Sequence, residues 1–143
     1  MNNHRGLTVL ELIASITIAL LILTSSFSVT SSFLSRIKIS NAVSSITSFL
    51  SEARYLALSE ERKVRLKITG NKIYLQIMTG HKWKILKHGK IKGEIDIVAN
   101  ASPVFSPQGT ASPMCSIKIS NKMYRFIITL SFAGRIKIKK IES

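Results

Sequence analysis

Few side chains in this sequence stand in a pattern that could do chemistry, and the first is an acid in the wrong solvent. Glu11 sits inside an apolar stretch that continues from Leu12 to Leu23, and no further charge follows until Arg36. An ionisable group in a membrane-like helix costs roughly 2.5–3.5 kcal/mol on insertion scales, so its presence asks for a function. At the other end, Arg135, Lys137 and Lys139 alternate with Ile136 and Ile138. On a strand that alternation puts the three cations on one face, about 6.6 Å apart. Consecutive phosphates of one nucleic-acid strand are about 3.4 Å apart along the axis, so each step spans two of them. The competing reading of the same residues is a solvated edge strand that its lysines keep from aggregating.

The remaining candidates do not assemble into a catalytic set. Glu94 and Asp96 share strand parity, as paired acids would, but read as solvated charges on an edge strand. His4, His81 and His88 lack a further ligand at zinc-like spacing. Neither a glycine-rich phosphate loop nor a Ser-His-Asp context is present. Cys115 is the only cysteine, so no intramolecular disulfide can form; it reads as a small buried apolar residue. Trp83 between Lys82 and Lys84 could stack on a base or a cation, and reads first as a half-buried core residue. The sequence calls for no enzyme activity, no cofactor and no metal.

The elements that must position these residues follow from periodicity. From Leu7 to about Glu61 the chain reads as one helix, about 80 Å long at 1.5 Å per residue. Its first half, residues 7–35, is apolar enough to span a bilayer. Its second half, residues 36–61, is amphipathic: Ile39, Val43, Ile46, Leu50, Ala53 and Ala57 form a stripe that Phe49 and Leu56 widen. The stripe suits a helix packed on a globular domain better than a coiled coil, whose heptads here would be few and rich in alanine. Between them, the Ser/Thr cluster from Thr24 to Ser32 predicts a zone of loosened helix.

After Lys63 the period changes to two. Val64, Leu66 and Ile68, the turn Thr69-Gly70-Asn71, and Ile73, Leu75 and Ile77 predict a hairpin. A third strand is predicted over Trp83–Leu86. Further strands are predicted over Ile95–Val98, Val104–Phe105, Ser116–Ile119, Tyr124–Ser131 and Arg135–Ile138. The expected fold class is α+β, a long N-terminal helix on a small antiparallel β domain of residues 62–143.

Charge divides at the same place. Over residues 1–61, Arg5, Arg36, Lys38 and Arg54 balance Glu11, Glu52, Glu60 and Glu61. The whole excess of +14 therefore falls in residues 62–143, whose acids are Glu94, Asp96 and Glu142. Such a domain suits a polyanionic partner or a negative surface, and also simple solubility.

The order basic leader, Gly6, Leu7-Thr8-Val9-Leu10-Glu11 and apolar helix resembles the type III signal of type IV pilins and pseudopilins. The departures are mild: Leu7 stands where phenylalanine is usual, and Val9 and Leu10 where leucine and isoleucine are. The resemblance implies that a membrane prepilin peptidase cuts between Gly6 and Leu7, releasing leader 1–6, and N-methylates Leu7. It further implies that Glu11 neutralises the new amine of an adjacent pilin or pseudopilin subunit during assembly. The implied location is the bacterial inner membrane, single-pass, in contact with its lipid and with the C-terminal domain outside the cytoplasm, then an envelope filament. Two readings compete: a plain membrane anchor with an incidental glutamate, and an ordinary signal peptide, whose apolar core would avoid charge and which no clear A-x-A site follows.

Later features narrow the likeness. Ser51-Glu52-Ala53-Arg54-Tyr55-Leu56-Ala57-Leu58-Ser59 resembles the "ARSEA" helix end of the GspH/FimT family. Trp83 falls near a tryptophan common there. Val104–Gly109 is similar to its F-x-P-x-G turn, and Phe132-Ala133-Gly134-Arg135-Ile136 to its closing Gly-Arg strand. The implied function is a structural minor pilin or pseudopilin of a type II secretion system or a type IV pilus. The alternative is a FimT-like minor pilin that binds DNA for uptake in natural transformation, through Arg135, Lys137 and Lys139. Lys137 stands where that family's motif has a second arginine.

Overall fold

The computed structural model describes residues 8–141, and of residues 25–31 the backbone alone. The chain divides into two units, one ending at Leu34 and one starting at Ser35. Helix α1 is assigned over Val9–Ser59.

In the first unit, Thr8 begins the helix. Its Oγ1 accepts the Glu11 N–H at 3.3 Å, which satisfies one of the donors that a helix N-terminus leaves open. The apolar side chains that follow, from Val9 to Leu23, are exposed. Val9–Thr24 is about 24 Å long at 1.5 Å per residue, against a hydrocarbon thickness of about 30 Å. Among the described residues no helix is long and apolar enough to cross a membrane. The span expected over residues 7–35 also draws on Leu7 and on 25–31, which lie outside the described side chains. The expected loosening between Thr24 and Ser32 is corrected: the backbone there is helical. Hydroxyl side chains in this helix bond back to a carbonyl of the preceding turn without breaking it. Ser15 donates to the Glu11 carbonyl at 2.7 Å, Thr17 to that of Ile13 at 2.7 Å, and Thr24 to that of Leu21 at 3.0 Å.

The second unit contains the core. The α1 stripe Ile39, Val43, Ile46, Leu50, Ala53 and Ala57 is buried, as its spacing predicts, and Ala42 joins it. The helix ends at Ser59, two residues before the expected Glu61, because Glu61 adopts a left-handed φ of 51° that turns the chain out. Among the described residues nine strands follow: β1 Val64–Thr69, β2 Lys72–Thr79, β3 Lys82–Lys90, β4 Asp96–Ala99, β5 Val104–Phe105, β6 Ala111–Ser112, β7 Cys115–Ser120, β8 Arg125–Leu130 and β9 Ile136–Ile141. They form two antiparallel sheets, ordered β3-β2-β1-β5-β6 and β4-β7-β8-β9.

Both sheets turn one face to the same core. Val64 and Leu66 on β1 lie among Ile73, Leu75 and Ile77 of β2. Ile117 and Ile119 of β7 pair with Ile128 and Phe126 of β8. Among the described residues, buried apolar side chains from Ile39 to Leu130 form one continuous cluster. The unit that starts at Ser35 thus carries a complete core of its own. Phe49 lies so close over Gly89 of β3 that a Cβ there would fall 2.7 Å from its ring. Beside it, Lys87 Nζ bonds both Glu52 carboxylate oxygens at 2.9 and 2.8 Å. On the side of the second sheet, Asn121 Nδ2 donates to the Ser35 carbonyl at 3.1 Å.

Strand β3 exceeds the expected Trp83–Leu86 because Lys87–Lys90 belong to an exposed edge, where apolar alternation is not required. Strand β6 has no sequence signal: its two residues pair with β5 as the return of a tight turn. Leu50 is fully buried on the stripe that both sheets share. In a fragment starting at Ser35, Leu50→Ala should cost about 2–5 kcal/mol of stability, read by urea unfolding. Leu58→Ala, on the exposed side of the same helix, should change little.

Candidate functional site

Two regions contain the residues the sequence singles out. At the start of α1, Gly6 and Leu7 lie outside the described residues, and Glu11 does not. Glu11 is exposed in the first helical turn, where a carboxylate is favoured by the helix dipole. No described side chain binds its carboxylate. Thr8, which sequence reasoning passed over, caps its backbone N–H. The signal was present: Thr8-Val9-Leu10-Glu11 is the S/T-x-x-E spacing of a capping box.

The second region is the outer face of the second sheet. Thr129 pairs with Lys137 and Ile127 with Lys139, so both lysines point away from the core that Ile128 and Leu130 enter. Arg135 lies one residue before β9 and shares their parity; its backbone N–H donates to Ser131 Oγ at 3.1 Å. The three expected cations are therefore together and exposed. Ile138, opposite them, stays 51% exposed because β9 is an edge strand. The register adds two cations that sequence reasoning missed. Lys118 of β7 lies across Ile127 from Lys139, and Arg125 of β8 lies one row away. Only sheet pairing, not local spacing, brings them there. Asp96, on the far strand β4, is the acid of this face, and none of the five cations forms an ion pair among the described residues.

Next to Arg135, an open groove of about 540 Å³ is lined by Met114, Phe132, Ala133, Arg135 and Lys137. Behind it lies a junction of the three weak sequence features. Arg54 of α1 donates from Nη1 to the Gly134 carbonyl at 3.3 Å. Gly109, from the turn between β5 and β6, packs on the same guanidinium. Both glycines are buried and have positive φ, 79° and 73°. The helix end, the Phe105–Gly109 turn and the Gly-Arg strand therefore meet at one point. Ala111 N–H donates to the Phe132 carbonyl at 2.8 Å and ties the two sheets together beside it.

The other candidates stay apart. Glu94 lies before β4 rather than in it, and bridges Lys122 at 3.7 Å with both side chains fully in water. Among the described residues no group of three or more His, Cys, Asp or Glu could hold a metal ion. Cys115 is buried with its Sγ donating to the Ala101 carbonyl; burial pushes its thiol pKa up, away from the thiolate a nucleophile needs. Trp83 is half-buried but not in the core. Its register opposite Met78 places it on the outer face of the first sheet, with the Arg65 guanidinium 4.3 Å above its ring.

Solved structures that share this fold include two of the minor pseudopilin EpsH from the type 2 secretion system of Vibrio cholerae. One matches with a TM-score of 0.63 at 10% identity, over 72% of this chain and 97% of its own. The other matches with a TM-score of 0.61 at 13% identity, over 74% and 96%. No protein-family model and no curated protein matches the sequence. The α+β, pilin-like fold that the GspH/FimT resemblance implies is thus the fold of the chain.

A Cβ at Gly134 would meet the Gly109 carbonyl oxygen at 2.7 Å and Arg54 at 3.0 Å, whereas one at Gly109 meets nothing closer than 3.4 Å. Both sites share a left-handed penalty of about 1–3 kcal/mol. Gly134→Ala should therefore be the more damaging substitution in denaturant unfolding, and Arg54→Ala should narrow the difference.

Proposed function

We propose that this chain is a minor pseudopilin, a structural subunit of a type II secretion pseudopilus or a related type IV pilus. The observation that carries the reading is the likeness to EpsH over nearly the whole of both solved structures. The β domain presents surfaces, and the apolar half of α1 anchors the subunit in the inner membrane before it enters the filament. A prepilin peptidase cuts between Gly6 and Leu7 and methylates Leu7. Glu11 then meets the amine of a neighbouring subunit. Its exposure supports that role, and among the described residues no ion pair engages its carboxylate. Amine and carboxylate each lower the other's desolvation cost, and a subunit without its partner is penalised.

Glu11→Ala should leave cleavage at Gly6-Leu7 intact, read by mass, and reduce recovery in sheared filaments at least about tenfold, since an unpartnered buried charge costs about 3–5 kcal/mol. Normal processing with undiminished incorporation would reject the role of Glu11.

A second reading, DNA binding for uptake, is favoured by one observation: Lys118 and Arg125 join Arg135, Lys137 and Lys139 on a single sheet face. Spread over three strands about 4.8 Å apart, these cations suit a backbone-tracking, sequence-independent contact. Gel shifts of the fragment starting at Ser35 should show binding at low salt. Changing Arg135, Lys137 and Lys139 to Ala should lower the slope of log K against log salt by roughly 2–3. No shift at low salt would end this reading.

A further inference from the structure

The outer face of the first sheet has a different character, and no role so far uses it. Its rows follow from the register. Lys90, Lys72 and Thr69 form one row, and His88, Tyr74 and Lys67 the next. Ile85, Gln76 and Arg65 form a third, and Trp83 and Met78 a fourth. One end is thus basic and the other apolar, and none of these residues is acidic. Between the two ends, Arg65 is held rigidly. Its Nε and Nη2 donate to Gln76 Oε1 at 3.0 and 2.7 Å, and its guanidinium lies on the Trp83 ring. A neutral amide and an indole fix its position without cancelling its charge. On the edge, Ile85 is 52% and Leu86 46% exposed at the irregularity in the β2–β3 pairing.

We propose that this face, with Arg65, Lys67, Lys72 and Lys90 over a Trp83/Ile85 apolar edge, binds the surface of an anionic lipid bilayer. The cations are spread in two dimensions, about 6.6 Å along strands and about 4.8 Å between them, which suits a sheet of headgroups. Exposed aliphatic side chains beside a tryptophan gain by entering the headgroup boundary, where such rings prefer to lie. A nucleic acid would use the same cations but gain nothing from Ile85 or Leu86, and one face of the indole is already taken by Arg65. Basic residues near an anionic leaflet attract it over about a Debye length. The choice of lipid over other polyanions rests on the proposed membrane anchoring of the same chain. The face would hold the β domain flat on the bilayer before assembly lifts it away.

The test uses the fragment starting at Ser35, which carries its own core and lacks the apolar half of α1. Its outcome is therefore independent of whether that half inserts. Trp83 is the only tryptophan, so its emission reports on this face alone. Vesicles of equal parts phosphatidylglycerol and phosphatidylcholine should sediment the fragment and shift Trp83 emission to the blue, and pure phosphatidylcholine should do neither. Lys67→Glu with Lys72→Glu should weaken binding at least about tenfold. Ile85→Ser should reduce the blue shift. Arg135→Glu with Lys137→Glu, on the other sheet, should leave both readouts within about twofold. The proposal is overturned by sedimentation without an emission change, or by equal loss in the second-sheet variant. It is also overturned if an oligonucleotide shifts Trp83 emission while the anionic vesicles do not. Failure here would leave Glu11-dependent filament incorporation untouched.

Discussion

Two small sheets, each with one apolar face, cannot both be buried unless something covers them together, and here a single helix stripe does so. Ile39, Ile46, Leu50, Ala53 and Ala57 lie in the same buried cluster as Leu66 and Leu75 of one sheet and Ile117 and Ile128 of the other. With one cysteine, no disulfide supplements that contact. The helix end is therefore fixed on both sides. Phe49 settles into the space left by Gly89, with Glu52 and Lys87 beside it, and Arg54 reaches the paired glycines opposite. The alanines at 53 and 57 matter for the same reason as Gly89: small residues let backbones approach where larger ones would hold the layers apart.

This explains which parts of the fold could be read from the sequence. The stripe and the Val64–Ile77 hairpin obey periods of 3.6 and 2, which depend on burial alone, and both were legible. Strands β4, β5, β7, β8 and β9 were legible to within three residues at each end, and β6 was not. What failed was residues whose environment is set by pairing with distant chain. Trp83 looked like a core residue because it is large and apolar, but the β2–β3 register sends it outward. Lys118 and Arg125 carry no local signature that joins them to Lys137 and Lys139. The Arg54, Gly109 and Gly134 features looked like separate weak signals, yet they are three sides of one contact. Thr8 is the exception, a local cap that could have been read from its spacing to Glu11.

Electrostatics splits the chain near the end of α1. Residues 1–61 carry no net charge, and under the proposed function Glu11, the single described acid of the first unit, would meet a partner from outside. The β domain holds the full +14 with few acids to offset it, and its lysines lie on both sheet faces and on the edge strands β3 and β9. Lysines on those edges oppose strand-to-strand association of copies, and like charge opposes their close approach over roughly 8–10 Å at moderate salt.

That self-repulsion bears on the proposed role as a filament subunit. Glu11 would pair equally well with the amine of an identical copy, so the N-terminal contact does not choose between partners. The β domain does. Two copies side by side bring basic faces together, whereas a neighbour with an acidic face, or an anionic surface, offsets the charge instead. Under the proposed function, a chain whose tail would assemble without preference and whose basic head would repel its own copies is suited to isolated positions among unlike subunits. That is the behaviour expected of a minor component rather than of the one that builds the length of a filament.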